Sequence, residues 1–210
     1  MNTAKAPIAP EDAVYQRALR LLTVQHAVAE MCNGRKVEAD PQAIRDAVAQ
    51  IRQIVKSING AHAVFVGGLA IQELGYVRCT DDIDVVVDSE HHMEVMNRLI
   101  SGGFEHTTEC RLKSSQGTVF VDLYREGLTL KDSSMALPHP SKLGENADFS
   151  HLAGVVRLKL DRSTMQSQAD VVELLKRNLK EAESVRAALP GELVLKFDEL
   201  HQAARKESEV

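Results

Sequence analysis

Residues 64–88 read VFVGGLAIQELGYVRCTDDIDVVVD. The stretch opens on a short apolar run, breaks at Gly67-Gly68, and continues over a helix-length segment to Gly75. It ends on a β-branched strand that begins Asp82-Ile83-Asp84. A strand that runs through Gly-Gly into a helix start leaves backbone N–H groups free. Glycine lets an anion approach them closely, and the helix dipole favours negative charge there. Asp82 and Asp84 are two apart, so on a strand they point to one face. Two carboxylates side by side repel, and burial raises the pKa of such groups. A divalent cation resolves that conflict, because Mg²⁺ binds through one or two carboxylates plus substrate phosphates. The plainer alternatives are a structural Gly-Gly turn and acids that cap the strand in solvent.

A third carboxylate lies further on. Asp122 is the one charge in VFVDLY, residues 119–124. Amid Val, Phe, Leu and Tyr it needs a partner if it is buried. If this strand lies beside the Asp82–Asp84 strand, three carboxylates converge. That is enough for two metal ions roughly 3.5–4 Å apart, an arrangement that stabilises attacking and leaving oxygens in a displacement at phosphorus. The alternative is that Asp122 faces water from the open side of a hairpin.

Outward from this centre the periodicity is helical. Val14, Ala18, Leu21, Leu22, Val28 and Met31 recur at three- and four-residue steps, with Asn33-Gly34 as a stop. Asp40-Pro41 supplies an N-cap and a first-turn proline for a second helix, with Ile44, Val48, Ile51, Ile54, Val55 and Ile58 as its apolar stripe. Strands are expected over 63–66, 83–87, 104–112 and 118–124, the last two joined by a polar hairpin loop. Short helices are expected over 69–74 and 90–100, with Ser89 as N-cap of the latter and His91-His92 on a solvated face. Residues 126–149 contain Pro138, Pro140 and Gly144 and read as a long irregular loop. His139, in that loop, could approach the site. Helices resume over 150–162, 167–188 and 190–206. The organisation expected is an N-terminal helical segment (1–60), a mixed α/β core (61–149) and a C-terminal helical segment (150–210). The strands are too few for a doubly wound sheet, so the fold class is α+β, with a small mixed sheet flanked by helices.

Composition excludes several classes. In 210 residues the apolar fraction is 44% and the charged fraction 26%, as in an ordinary globular protein. A net charge of −5 argues against a generally basic nucleic-acid binder. Cys32, Cys79 and Cys110 form neither a CxxC pair nor a zinc spacing, and read as free thiols of a reducing compartment. The N-terminus lacks the apolar core of a signal peptide, and no run reaches membrane-span length, so a cytoplasmic protein without a membrane partner is expected. No P-loop, GxSxG or HExxH motif is present.

Gly67-Gly68, the thirteen residues 69–81, Asp82-Ile83-Asp84 and the later Asp122 resemble the signature of the nucleotidyltransferase superfamily, which has the fold of DNA polymerase β. Gly75, Arg78, Thr80 and Asp82-Ile83-Asp84 are similar, in register, to a narrower group, the minimal nucleotidyltransferases akin to AbiEii-type toxins. Lys159, Leu160 and Asp170 resemble a C-terminal helical motif of that family. Gln166 and Ser167 depart from it, standing where a basic residue and an acid are usual.

The resemblance implies transfer of an NMP from an NTP to an acceptor, with release of pyrophosphate. Asp82, Asp84 and Asp122 would bind Mg²⁺ or Mn²⁺ and carry catalysis. Gly67 and Gly68 would hold phosphates through their amides. Arg78 would neutralise phosphate or orient Asp82, Thr80 would hydrogen-bond the Asp82–Asp84 turn, and Lys159 would face the triphosphate. The acceptor remains open among tRNA, a protein and a small molecule. A toxin–antitoxin or defence setting, a partner antitoxin and a homodimer are implied only by this likeness. Two other readings stay open: a non-catalytic nucleotide-binding or antitoxin protein of the same fold, and a DxD glycosyltransferase.

Overall fold

The computed structural model describes residues 40–208 apart from Cys79, Asp81, residues 115–118 and Ser163. The helix expected over 11–31, and part of the hairpin loop before residue 119, lie outside the described residues.

Helix α1, Pro41–Ser57, starts where Asp40 accepts a hydrogen bond from the Gln42 amide at 3.0 Å, with Pro41 in the first turn. Ile44, Val48, Ile51 and Val55 are buried along one face, following the sequence spacing. Beyond it lies a six-stranded mixed sheet in the order β3-β4-β5-β2-β1-β6. The strands are β1 Ala63–Val66, β2 Asp82–Val87, β3 Glu105–Thr108, β4 Arg111–Lys113, β5 Phe120–Arg125 and β6 Asp148–Phe149. Strand β2 is central. It runs antiparallel to β1 and parallel to β5, and β5 pairs antiparallel with β4. This is the small mixed α+β sheet expected from the sequence.

Strand parity sorts the side chains into two faces. Phe65, Ile83, Val85, Val87, Leu112, Val121 and Leu123 enter the main core, together with α1 and with α3, His92–Ser101. The opposite face carries Val64, Val66 and Val86 in a second, smaller cluster with Leu137 and Leu143. Asp82, Asp84 and Asp122 share the parity of this second face. The main core continues through four C-terminal helices: α4 Leu152–Asp161, α5 Met165–Arg177, α6 Ala182–Ala188 and α7 Gly191–Ser208. Leu160, Leu174, Leu175 and Phe197 from these helices are almost wholly buried.

Several boundaries differ from the sequence expectation. The strand expected over 104–112 is two strands, β3 and β4, with a turn at Glu109-Cys110 and a register shift between His106 and Thr108. All four residues of β3 are exposed, so no apolar alternation marks its limits. The helix expected over 167–188 starts at Met165, because Thr164 caps it by accepting from Ser167 N. It ends at Arg177, where the Asn178 side chain donates to Leu174 O at 2.8 Å and a 3₁₀ turn intervenes before α6. Residues 126–149 contain a 3₁₀ turn, Pro140–Lys142, and the short strand β6. Ser89 does not cap α3; Asp88 accepts from the His91 amide at 2.9 Å and contacts its Nδ1 at 2.7 Å. The two histidines are not on a solvated face either. His91 pairs with Asp88, and His92 is buried with Nε2 donating to Leu123 O at 3.0 Å. No described helix is long and apolar enough to cross a membrane.

Candidate active site

The β2–β5 pairing places Asp84 directly beside Asp122, in a parallel register that also aligns Asp82 with Phe120. Ligand oxygens of Asp82, Asp84 and Asp122 all lie within 4.8 Å of one another. Parity does the aiming. Ile83 and Leu123 anchor the strands in the main core, so their neighbours Asp82, Asp84 and Asp122 must face the other way. Burial, reinforced by Asp82 and Asp122, pushes the Asp84 carboxyl up to about 6, and Lys159 and Arg162 pull it down. The triad is thus an anionic cluster that nearby positive charge would stabilise, and its oxygens could hold a cation.

Arg111, which the sequence reading did not single out, supplies part of that charge. It lies opposite Asp122 in the β4–β5 register. Its Nε donates to Asp122 Oδ1 at 2.7 Å and its Nη2 to Asp122 Oδ2 at 2.9 Å, while Nη2 also reaches Asp82 Oδ2 at 3.4 Å. A weak signal existed. Arg111-Leu112-Lys113 alternates around a buried Leu, which puts Arg111 on the face of the acids.

The turn between β1 and helix α2, Gly67–Glu73, closes over the strand. Gly67 has φ +66°, and a Cβ there would lie 1.8 Å from Asp84 Oδ2. At Gly68 a Cβ would lie 2.5 Å from Thr80 Oγ1. Each glycine leaves room for a side chain of the site. Thr80 Oγ1 donates to Asp82 O at 3.3 Å and Asp82 Oδ1 at 3.2 Å.

Arg78 does not orient Asp82. Its Nη1 donates to Asp170 Oδ2 at 2.8 Å, and Lys159 Nζ meets the same oxygen at 2.8 Å. Asp170 is fully buried, and Gln166 Nε2 donates to its other oxygen at 3.0 Å. A wholly buried carboxylate persists only with such partners. Burial lowers the Lys159 pKa, and the bond to Asp170 opposes that. Gln166, where the resemblance departs from the family pattern, therefore stands in the support of the site's cations. Ser167 instead takes part in the cap at Thr164.

All eight residues singled out from the sequence, Gly67, Gly68, Arg78, Thr80, Asp82, Asp84, Asp122 and Lys159, line one cavity of about 250 Å³. Helix α4 contributes Val155, Leu158 and Lys159 to its wall, and Arg162, just past the helix end, continues the same stripe. Val66, Val86, Leu130 and Leu137 give it an apolar side, and Tyr124 joins them, its hydroxyl pKa raised by burial and the nearby carboxylates. His139 does not line this cavity; it bonds Ser141, and its ring lies 5.6 Å from that of His62.

No family model matches the chain, and no curated protein matches it. Among solved structures it is similar to the crystal structure of ANT(2'')-Ia in complex with adenylyl-2''-tobramycin. The identity is 18%, covering 77% of this chain and 97% of that one, with a TM-score of 0.40. It is also similar to the solution structure of the antibiotic-resistance factor ANT(2'')-Ia, at 16% identity over 78% of this chain and 92% of that one, with a TM-score of 0.38.

Proposed function

We propose that the chain is a metal-dependent nucleotidyltransferase that moves an NMP from an NTP to an acceptor hydroxyl. The observation that carries this reading is the Asp84–Asp122 pair beside Asp82, facing a cavity whose wall also bears Arg78, Lys159 and Arg162. Carboxylates and cations around one cavity suit a metal-bound polyphosphate. The donor set fits Mg²⁺ or Mn²⁺: three clustered carboxylates, all oxygen ligands, one of them with a raised pKa. Asp82, Asp84 and Asp122 would hold the metal, which supplies charge neutralisation at the phosphates.

The chain's own groups do the rest. The amides at Gly67 and Gly68 receive phosphate oxygens. Lys159 and Arg162 neutralise the triphosphate. Arg78, with Lys159, is steadied by Asp170. Asp122 accepts the proton of the acceptor hydroxyl. The hydroxyl oxygen bonds to the α-phosphorus as the bond from that phosphorus to the β-phosphate oxygen breaks, and pyrophosphate leaves. Few other groups are needed, because phosphoryl chemistry is mostly positioning and charge stabilisation.

The acceptor is a tRNA, a protein side chain or a small molecule, and a cytoplasmic toxin–antitoxin or defence role accords with the sequence resemblance. Titration calorimetry with each NTP, with and without Mg²⁺, tests the reading. Mg²⁺-dependent binding that is lost in Asp82→Ala/Asp84→Ala supports it. Binding unchanged in that double variant overturns it and favours a non-catalytic nucleotide-binding protein.

A further inference from the structure

We infer that Arg111 is an internal counter-cation that competes with the divalent ion for Asp122 and Asp82, so that metal binds well only when a nucleotide brings its phosphates. The inference rests on the metal-site reading above. The side chain grips Asp122 through two donors, at 2.7 and 2.9 Å, and spans to Asp82 at 3.4 Å. Both oxygens of Asp122 are therefore engaged by one guanidinium. A metal ion or a reacting proton needs at least one of them.

The geometry favours release of the side chain over movement of the backbone. Arg111 opens β4 in fixed register with Asp122, and the carbonyl just before it, that of Cys110, accepts from Leu123 N at 2.7 Å. The side chain, in contrast, is more than a third exposed, and its guanidinium rests 5.1 Å from the centre of the Phe120 ring, a surface the stem can keep while the head turns to water. Asp84 lies outside its grip; no hydrogen bond or ion pair joins the two. The three acids are thus held unequally: two by Arg111, and one packed against the Gly67 turn with its charge penalised by burial. Mg²⁺ takes substrate phosphates as ligands alongside carboxylates. A triphosphate would tip the competition against Arg111 by adding anionic ligands for the metal.

The test is Mn²⁺ titration followed by electron paramagnetic resonance, on wild type, Arg111→Gln and Arg111→Lys, with and without a non-hydrolysable NTP. Without nucleotide, Arg111→Gln binds Mn²⁺ about tenfold or more tightly than wild type, since a unit positive charge leaves a partly buried site. Arg111→Lys, which keeps the charge, lies closer to wild type. With nucleotide the gap between wild type and Arg111→Gln narrows. Equal or weaker Mn²⁺ binding by Arg111→Gln overturns the inference. A second readout needs no variant: the Arg111 Nε–H signal of ¹⁵N-labelled wild type, assigned by NMR, shifts when Mg²⁺ and the analogue are added together. A signal that stays in place at saturation also overturns it. If wild type binds no Mn²⁺ even with nucleotide, the nucleotidyltransferase reading itself fails and takes this inference with it.

Discussion

Gly67 and Asp84 occupy one another's space: a Cβ on Gly67 would lie 1.8 Å from Asp84 Oδ2. The turn that looks in sequence like a phosphate cradle therefore has a second duty. It lets the middle carboxylate of the site sit against the backbone. Gly67 also has φ +66°, where a side chain is strained regardless of space. Gly67→Ala is expected to destabilise the fold by about 2–4 kcal/mol, strain and clash together, and to cut nucleotidyl transfer at least about a hundredfold. Gly75 is the control. It has φ +90°, and a Cβ there would meet nothing within 4 Å, so Gly75→Ala carries only the strain, about 1 kcal/mol. Urea unfolding of the two variants checks the difference; equal losses would refute the packing role of Gly67.

The raised pKa of Asp84 has a consequence for stability. Its folded-state value of about 6 lies above the unaffected value of 3.8, so the folded chain holds this proton more tightly than the unfolded chain does. The stability so gained is complete below pH 3.8, and it is lost as pH rises through about 6. At pH 7.5 without metal, the ionised group costs on the order of 2–3 kcal/mol. Asp84→Asn is therefore expected to be more stable than wild type at pH 7.5 in EDTA, by up to that amount, and close to wild type near pH 4. It should also lose transfer activity. Denaturant titrations at the two pH values, compared between the variants, check this; a stability difference that does not change with pH would contradict it.

Much of this site was legible because strand parity and spacing are local. Asp82-Ile83-Asp84 declares two acids on one face, and an Asp inside VFVDLY declares a third that needs company. Gly67, Gly68, Arg78, Thr80 and Lys159 also line the same cavity as the acids. What the sequence withheld was pairing across distance. Nothing local says that Arg111 lies opposite Asp122, because that depends on the register in which β4 pairs with β5, and the single strand expected over 104–112 divides at Glu109-Cys110, with its first part wholly exposed. Nor does the sequence say that Arg78 turns to Asp170, ninety-two residues away, rather than to Asp82. The His91-His92 pair misled for a related reason: the carbonyl that His92 meets comes from β5.

Asp170 is the pivot for the cationic side of the cavity, fully buried between Arg78 and Lys159. Asp170→Asn leaves two partly buried cations without their counter-charge. A loss of about 2–4 kcal/mol in stability is expected, as for a broken buried ion pair. Because Arg78 and Lys159 also lose their fixed positions, NTP binding in the presence of Mg²⁺ should weaken about tenfold or more. Lys159→Met removes one cation and its need for Asp170 together, so it should cost less stability than Asp170→Asn while weakening NTP binding to a similar degree. Calorimetry paired with thermal unfolding separates the two effects; nucleotide binding unaltered in both variants would remove these residues from the phosphate site.

The central claim, transfer of the α-phosphate with its nucleoside, is tested most directly by which phosphorus stays behind. The chain is incubated with Mg²⁺, a fractionated lysate containing RNA, protein and small molecules, and each NTP labelled at either the α- or the γ-phosphate. With label counted above that in lysate lacking the protein, α-label is expected to become attached to an acceptor, γ-label to appear only in pyrophosphate, and Asp82→Ala/Asp84→Ala and Asp122→Asn to abolish both. Transfer of γ-label to an acceptor, or α-label transfer that persists in those variants, would contradict it.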